Sequence, residues 1–540
     1  MQLKGNIVLL LSFLYSITCS FSTSEQQVNT AYNRIRKTNS YGSKARLSRK
    51  RHLTVIKSDT ALDALLWSRS VSYSFSYGII NPAVTQTPSR RPTRKYPSPT
   101  SSPTKNSSSI ETGCDACTLT VGIVSWTPDY EGHSWTYNAA MLWLTDQPYS
   151  VPNGSAIVSL SNGTECVIKL IFRDSDNSET KSAEVTQNLI TKENVSAIIG
   201  LESSTVAISA AHVASSNSIT MISTTSTHPN VTAQNLPFAF RMGFTDKHQS
   251  HALALLGRKV FDAWNVAVIF LDDDLYSSSL AASFKDVWGE IASVSYYQSL
   301  STADFLTENV DSALQETLNS TFKRLKNSDT MKIDLAFLPI PSQYIPIVVD
   351  AIRKAGWKGP ILGGDSWDDV NTIEKCGKPC IGAFYTSMWA ATTISTTPRA
   401  ASNGGDGQDA TLPKKKVEQN FTNTDNNGVT LSFLERYHSR YNHFPNAMAA
   451  LAYDALSLVA DAWKHTVSNL DGFYSCNSMN ISNTRIQLNN ALRNTSNFMG
   501  GVTSGTISFD NQNNPRNKCV DISYVSVDIT PTYFYSVCPR

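Results

Sequence analysis

Charged residues are scarce in this sequence, at 17% of its 540 residues. Long apolar runs are scarce too. No stretch of about 18 or more apolar residues follows the folded region, so no membrane helix is expected there. Several chemical signatures are missing. The chain has no GxSxG elbow, no GxxxxGK[ST] phosphate loop, no HExxH and no GxGxxG, which argues against the enzyme classes those motifs mark. Its nine histidines are scattered. His248 and His251 lie close, but no third metal ligand stands at a recognisable spacing, so they read as residues of one helix face. Cys114 and Cys117 form the CxxC of the chain without a second one, so structural disulfides are preferred to zinc or redox chemistry. Asp272, Asp273 and Asp274 read as a solvated strand-end turn rather than a divalent cation site. No cofactor and no catalytic residue is expected.

What charge there is divides unevenly. Residues 21–113 hold 15 Lys+Arg against 4 Asp+Glu, whereas residues 114–540 hold 30 against 40. A basic segment therefore precedes an acidic body. The acidic body argues against nucleic acid as partner, because phosphate binding needs clustered Lys and Arg.

Residues 1–20 read as a secretory signal: Lys4, an apolar run from Ile7 to Ile17, then small Ser16, Thr18 and Ser20. The run is too short to span a bilayer, and Ser16-Ile17-Thr18 before Cys19 is a poor lipobox. Of nine cysteines, eight remain if Cys19 leaves with the signal. An even number in a secreted chain suggests disulfides. Cys376 with Cys380 is the most local expectation, and Cys476 with Cys519 is a second. Asn-x-Ser/Thr sequons begin at Asn106, Asn153, Asn162, Asn194, Asn230, Asn319, Asn420, Asn480 and Asn494. In a secreted chain they mark candidate glycosylation sites. The expected location is outside the cell, secreted or on the extracellular side of a membrane.

Residues 21–113 are rich in Ser, Thr, Pro and Arg and lack a core-forming pattern, so a disordered basic tail is expected. Arg46 to Arg51 reads as a solvated basic run, with a processing site as the alternative. A low-complexity insertion is expected over 392–427. Elsewhere, short apolar runs alternate with helical patterns. Strands are expected over Leu119–Val124, Val167–Phe172, Val195–Ile199, Ile219–Ser223, Trp264–Leu271, Leu335–Pro339 and Pro360–Gly363. Helices fall between them, over Ser182–Lys192, Ser204–Ser215, Ala252–Phe261, Ser278–Trp288 and Ile345–Ala355. This alternation implies an α/β fold of two doubly wound lobes with parallel sheets.

In such sheets ligands bind beyond the carboxyl ends of the strands. Three turns there stand out. Gly200 to Thr205 places Ser203, Ser204 and Thr205 at a helix N-terminus, which suits an anion, with ordinary N-capping as the plainer reading. Thr224 to Pro229 adds more hydroxyls. Gly363 to Trp367 offers Asp365, a carboxylate able to pair an ammonium.

These turns and several further segments resemble the type I periplasmic binding proteins, in the branch of the leucine/isoleucine/valine-binding proteins. The same family includes the receptor regions of class C G-protein-coupled and natriuretic-peptide receptors. The resemblance runs through Thr120-Val121-Gly122-Ile123, Ala197 to Gly200 with Ser203-Ser204-Thr205, Ile219 to Ser223, Phe240-Arg241, Asp246 to Gln249, Ala355-Gly356-Trp357, Ala452 to Ala455, and Phe498 to Gly505 with Ile507 to Asp510. It implies one receptor ligand-binding domain over 114–540. Lobe 1 would comprise about 115–250 plus 386–500, and lobe 2 about 251–385 plus 501–540. The lobes would close on a small amino-acid-like ligand. The turns matching Ser203-Ser204-Thr205 and Thr225 to Thr227 would hold the α-carboxylate and part of the ammonium, with Ser204, Thr225 and Thr227 at matching positions. Asp365 matches the acidic ammonium partner, Tyr276 an aromatic cleft residue, and Trp126 a lobe 1 cap. Ser279, the 392–427 insertion and the basic tail depart from the family pattern. The implied partners are the small ligand, a homo- or heterodimer mate through lobe 1, and a membrane signalling module. A secreted solute-binding protein and a receptor ectodomain both fit, as does a non-binding structural or dimerisation module on the same fold.

Overall fold

The computed structural model describes residues 118–126, 135–151, 154–160, 165–305, 316, 333–390, 393–394, 420–421, 429–468, 481–503 and 506–539. The leader, the basic segment, Cys114, Cys117, Cys476 and the sequons at Asn106, Asn153, Asn162, Asn319 and Asn480 lie outside the described residues.

The strands are β1 (Thr118–Ser125), β2 (Tyr149–Val151), β3 (Ser155–Ser159), β4 (Glu165–Asp174), β5 (Ala197–Gly200), β6 (Thr220–Ser223), β7 (Ala239–Arg241), β8 (Asn265–Leu271), β9 (Ser293–Leu300), β10 (Leu335–Leu338), β11 (Ile361–Gly363), β12 (Phe384–Ser387), β13 (Thr393–Ile394), β14 (Asn420–Phe421), β15 (Val520–Val525) and β16 (Pro531–Val537). The helices are α1 (Trp135–Asp146), α2 (Glu179–Thr191), α3 (Ser204–Ser216), α4 (Asp246–Val260), α5 (Leu275–Gly289), α6 (Ile345–Lys354), α7 (Val370–Cys376), α8 (Val429–Tyr441), α9 (Ala447–Ser468) and α10 (Ile481–Arg493).

Two seven-stranded sheets form, in the orders β2-β3-β4-β1-β5-β6-β7 and β16-β15-β12-β11-β10-β8-β9. The central strands are parallel and apolar on both faces: β5, β6, β10 and β11 are buried throughout, as expected of strands covered on both sides by helices. The two α/β sheets of parallel strands with covering helices are as expected, and each carries antiparallel strands at one edge in addition. β2 and β3 add an antiparallel edge to the first sheet, and β15 and β16 add one to the second. Edge strands are half solvated, so their apolar residues do not form the continuous runs that marked the central strands.

The chain passes between the sheets three times. It leaves the first after β7 and returns after β12 through β13 and β14, which pair antiparallel across the 392–427 segment. Helices α8 to α10 then pack on the first sheet's side, with α9 against α1 and β5. The last pass leads to β15. Its loop is tied back to β7, because Asn513 Nδ2 donates to the carbonyls of Pro237 (3.3 Å) and Ala239 (3.0 Å). One hydrophobic cluster runs across both sheets, with Trp288 and Trp463 among its fully buried side chains.

Cys376 and Cys380 are disulfide-bonded as expected. Cys519 pairs with Cys538, not with Cys476. The hairpin register decides this: Val520 lies opposite Val537, which brings the flanking cysteines together. Cys166 is disulfide-bonded as well.

Candidate functional site

The first sheet contributes the turns after β1, β5 and β6. The β5 turn is sharp. Gly200 has φ 118°, and Leu201 follows at φ 58°. A Cβ at Gly200 would lie 1.9 Å from the Val124 carbonyl oxygen, so only glycine fits. Leu201 N–H donates to that same carbonyl (2.8 Å), and the chain is thereby turned into α3.

Ser203 is the N-cap residue of α3, but its side chain makes no capping bond. Its hydroxyl donates to Asn177 Oδ1 instead (2.7 Å). The plainer N-capping reading therefore fails here, and the side chain leaves the helix's first-turn N–H groups uncapped. Ser204 is 1% exposed and its Oγ has no hydrogen-bond partner. Thr205 is partly exposed on the same turn.

The hydroxyls after β6 largely brace the β5 turn. Thr225 Oγ1 donates to the Glu202 carbonyl (3.1 Å), and Ser226 Oγ to the carbonyls of Leu201 (2.8 Å) and Glu202 (3.0 Å). Thr227 lies beside Asp246 and favours that residue's ionised form, although no hydrogen bond of ordinary geometry reaches its Oγ1. Arg241 holds this segment from beneath. It is fully buried and donates to the carbonyls of Ser226 (2.9 Å) and His228 (2.8 Å) and to Thr232 Oγ1 (3.1 Å). Burial lowers its guanidinium to about 10, opposed by Asp246 and Asp510.

The second sheet contributes Tyr276, in the first turn of α5, and Asp365, just after β11. The structure brings them together. Tyr276 Oη donates to Asp365 Oδ1 (3.0 Å) and accepts from the Ser366 N–H (3.2 Å). Both residues keep part of their surface exposed. Gly364 allows this contact, since a Cβ there would lie 2.4 Å from Tyr276 Oη. Burial pushes the Asp365 carboxyl up to about 7, and the charge of Asp246 adds to this. Donors from Gln249 and Tyr276 act in the opposite direction.

Trp126 follows β1 and is 40% exposed. The Asp272–Asp274 turn is engaged locally: Asp274 caps α5 through Ser277 N–H (2.7 Å), and Asp273 accepts from Ser301 and Thr302 hydroxyls. His248 Nδ1 lies 3.1 Å from Thr245 Oγ1 at the start of α4, a capping contact.

Residues 158–333 match the receptor family ligand binding region. Leu/Ile/Val-binding protein homolog 3 of Brucella melitensis is 32% identical over 123 residues, which is 23% of this chain and 32% of that protein. The chain thus spans about a third of that relative's length. Among solved structures, a leucine binding protein from Thermotoga maritima superposes with TM-score 0.58 at 22% identity, covering 78% of this chain and 99% of that one. The substrate binding protein of a branched-chain amino acid transporter from Streptococcus pneumoniae, in complex with isoleucine, gives TM-score 0.58 at 20% identity, covering 78% and 100%. The chain has the fold of the type I periplasmic binding protein superfamily.

Three polar residues that this periplasmic-binding-protein fold gathers at the site lie in segments already singled out in the sequence, with no site role assigned to them. Glu202 accepts from Ser125 Oγ (2.7 Å) and ties the β5 turn to the β1 turn; burial raises its carboxyl, against donors from Thr136 and Ser125. Asp246 and Gln249 stand behind Asp365, with Ser279 Oγ on Asp246 Oδ2 (2.6 Å). Glu202 lies inside a turn already singled out for its hydroxyls, and its charge was the available signal. Asp246 and Gln249 meet Asp365 only through the tertiary fold.

Proposed function

We propose that the chain is an extracellular sensing domain that closes two lobes on an amino acid or a similar zwitterion. Such a domain serves either as the ectodomain of a membrane receptor or as a secreted solute-binding protein. The observation that carries this reading is the pair of opposed features at the strand ends. The second sheet presents Asp365, braced by Tyr276, to an ammonium group. The first sheet presents the uncapped N-terminus of α3 with Ser204, which suits a carboxylate. Thr225 and Thr227 shape the carboxylate side, Thr205 and Ser203 extend it, and Trp126 covers it. Similar folds solved with isoleucine and with leucine support an amino-acid ligand. Lobe 1 would comprise about 115–250 plus 386–500, and lobe 2 the remainder of the body. Asn194, Asn230 and Asn494 are exposed, as glycosylation in the secretory route requires. Pairing through lobe 1 belongs to the same proposal.

The test is calorimetric titration of the full chain with the common amino acids, after a thermal-shift screen. Asp365→Ala should weaken binding of the best ligand by about ten-fold or more, given 1.5–3 kcal/mol for a charge-assisted hydrogen bond. Ser204→Ala should weaken it less. Unchanged affinity in Asp365→Ala would remove the ammonium role. No response to any amino acid would favour a non-binding module on this fold.

A further inference from the structure

Gln249 lies in the first turns of α4 and is fully buried. Its Oε1 accepts from Thr386 Oγ1 (2.9 Å) in β12 and from the backbone N–H of Asp365 (3.3 Å). The backbone N–H of Asp365 can only donate, so it settles the orientation of the amide: a flipped group would set its NH2 against that N–H, whereas the Thr386 hydroxyl could serve either way. Nε2 is thereby turned toward the Asp246 carboxyl. It lies 3.4 Å from Asp246 Oδ1, and the Gln249 side chain also stabilises the ionised Asp365.

Asp246 belongs to the passage between the sheets. Its N–H donates to the Thr227 carbonyl (3.0 Å), and its Oδ2 accepts from Ser279 Oγ. A continuous polar path therefore runs from the Thr227 turn of the first sheet through Asp246 and Gln249 to Asp365 and Tyr276. The charged and titratable groups along it are Asp246 on α4, Tyr276 on α5 and Asp368 on the turn that carries Asp365. His228 and Arg241 face Asp246 from the first sheet's side. Between Asp246 and Asp365, two like charges, Gln249 supplies a neutral donor.

We infer that Gln249 is a positioning residue for ligand binding: its amide oxygen holds the backbone N–H of Asp365, which sets that residue toward the ligand's ammonium, and its NH2 ties the turn to Asp246 at the crossing between the sheets. This rests on the reading of Asp365 as the ammonium partner. Burial and the like charge of Asp246 favour protonated Asp365, and a protonated carboxyl pairs poorly with an ammonium. The Gln249 donor opposes that protonation.

The test uses the full chain and two readouts. First, the thermal midpoint is followed without ligand from about pH 5 to 9 in the parent, Asp365→Asn, Gln249→Met and the double variant. The difference made by Asp365→Asn isolates that carboxyl from the others. In the parent background, the midpoint of Asp365→Asn relative to the unsubstituted chain should climb with rising pH and level off near the value of about 7 held by Asp365. In the Gln249→Met background the change should move about one pH unit higher, the equivalent of losing one hydrogen bond to a charged group. An unmoved profile overturns the inference. If Gln249→Met does not fold, Thr386→Val, which frees the amide to turn, should move the profile in the same direction. Second, L-leucine is titrated by calorimetry. Gln249→Met should bind about ten-fold more weakly near neutral pH and recover at alkaline pH. An equal loss at every pH marks a merely structural role and overturns the inference. If the parent binds no leucine or other amino acid, the proposed function fails, and the ligand-free profile still decides the role of Gln249.

Discussion

Asp454 offers a demanding test of how the last passage between the sheets is held. It is fully buried in α9. Oδ1 accepts from the Val502 N–H (2.5 Å), and Oδ2 accepts from the Thr503 N–H (3.0 Å) and Thr503 Oγ1 (2.6 Å). Lys518, buried beside it, donates to Thr503 Oγ1 (3.1 Å). The carboxylate thus fastens the loop leaving α10 to α9 and supplies the counter-charge for Lys518. Asp454→Asn keeps the shape but replaces one oxygen with a donor, which then faces an N–H or a hydroxyl, and it leaves Lys518 buried without this partner. Each buried donor left unmatched costs about 1–3 kcal/mol, and Lys518 keeps only Asp521 as a nearby counter-charge, so a loss of about 3–5 kcal/mol is expected. For a folded body of this size, larger than the 150–250-residue domains that shift by 2–4 °C per kcal/mol, the midpoint should fall by about 4–8 °C. The assay is calorimetry or thermal circular dichroism of the parent, Asp454→Asn, Lys518→Met and the double variant. The double variant should lose less than the sum of the singles, since removing both charges relieves the unpaired one. A midpoint within about 1 °C of the parent for Asp454→Asn, or strictly additive singles, would refute this account.

Two further predictions concern the site's surroundings. Asp368 accepts from Ser387 Oγ (2.7 Å) and from the Ala447 N–H at the start of α9, and burial raises its carboxyl to about 7. Its folded form thus holds a proton that the unfolded chain releases near pH 4, so its contribution to stability falls as pH rises from about 4 to 7. Asp368→Asn mimics the protonated form, and its midpoint relative to the parent should climb over that window; a flat or falling difference counts against the assignment. Gly364→Ala should push Tyr276 off Asp365, because the added Cβ would meet Tyr276 Oη. We expect about ten-fold weaker amino-acid binding with the fold intact by circular dichroism, and undiminished affinity would mean that Tyr276 does not orient Asp365.

Much of the scaffold was legible before the structure. Val195–Ile199, Ile219–Ser223 and Trp264–Leu271 read as buried strands because a strand covered on both faces is a plain apolar run. Ser204 and Asp365 were singled out as residues at strand ends, and Tyr276 through the family resemblance. The edges were harder. β16 mixes Tyr, Phe, Ser and Thr with half-exposed positions, so its apolar residues form no run. Missing that hairpin led directly to the wrong partner for Cys519.

What the sequence by itself determined is local: alternating apolar runs specify parallel strands and helices, and the turns at the strand ends carry hydroxyls with the carboxyls of Glu202 and Asp365. What only the tertiary structure decided is which of these groups meet. Ser203 bonds Asn177 rather than its own helix, Cys519 takes Cys538, and Gln249 reaches Asp365 across 116 residues. Hydrogen bonds depend on distances of about 3 Å, and sequence periodicity constrains which face a side chain occupies but not its neighbour across a sheet crossing.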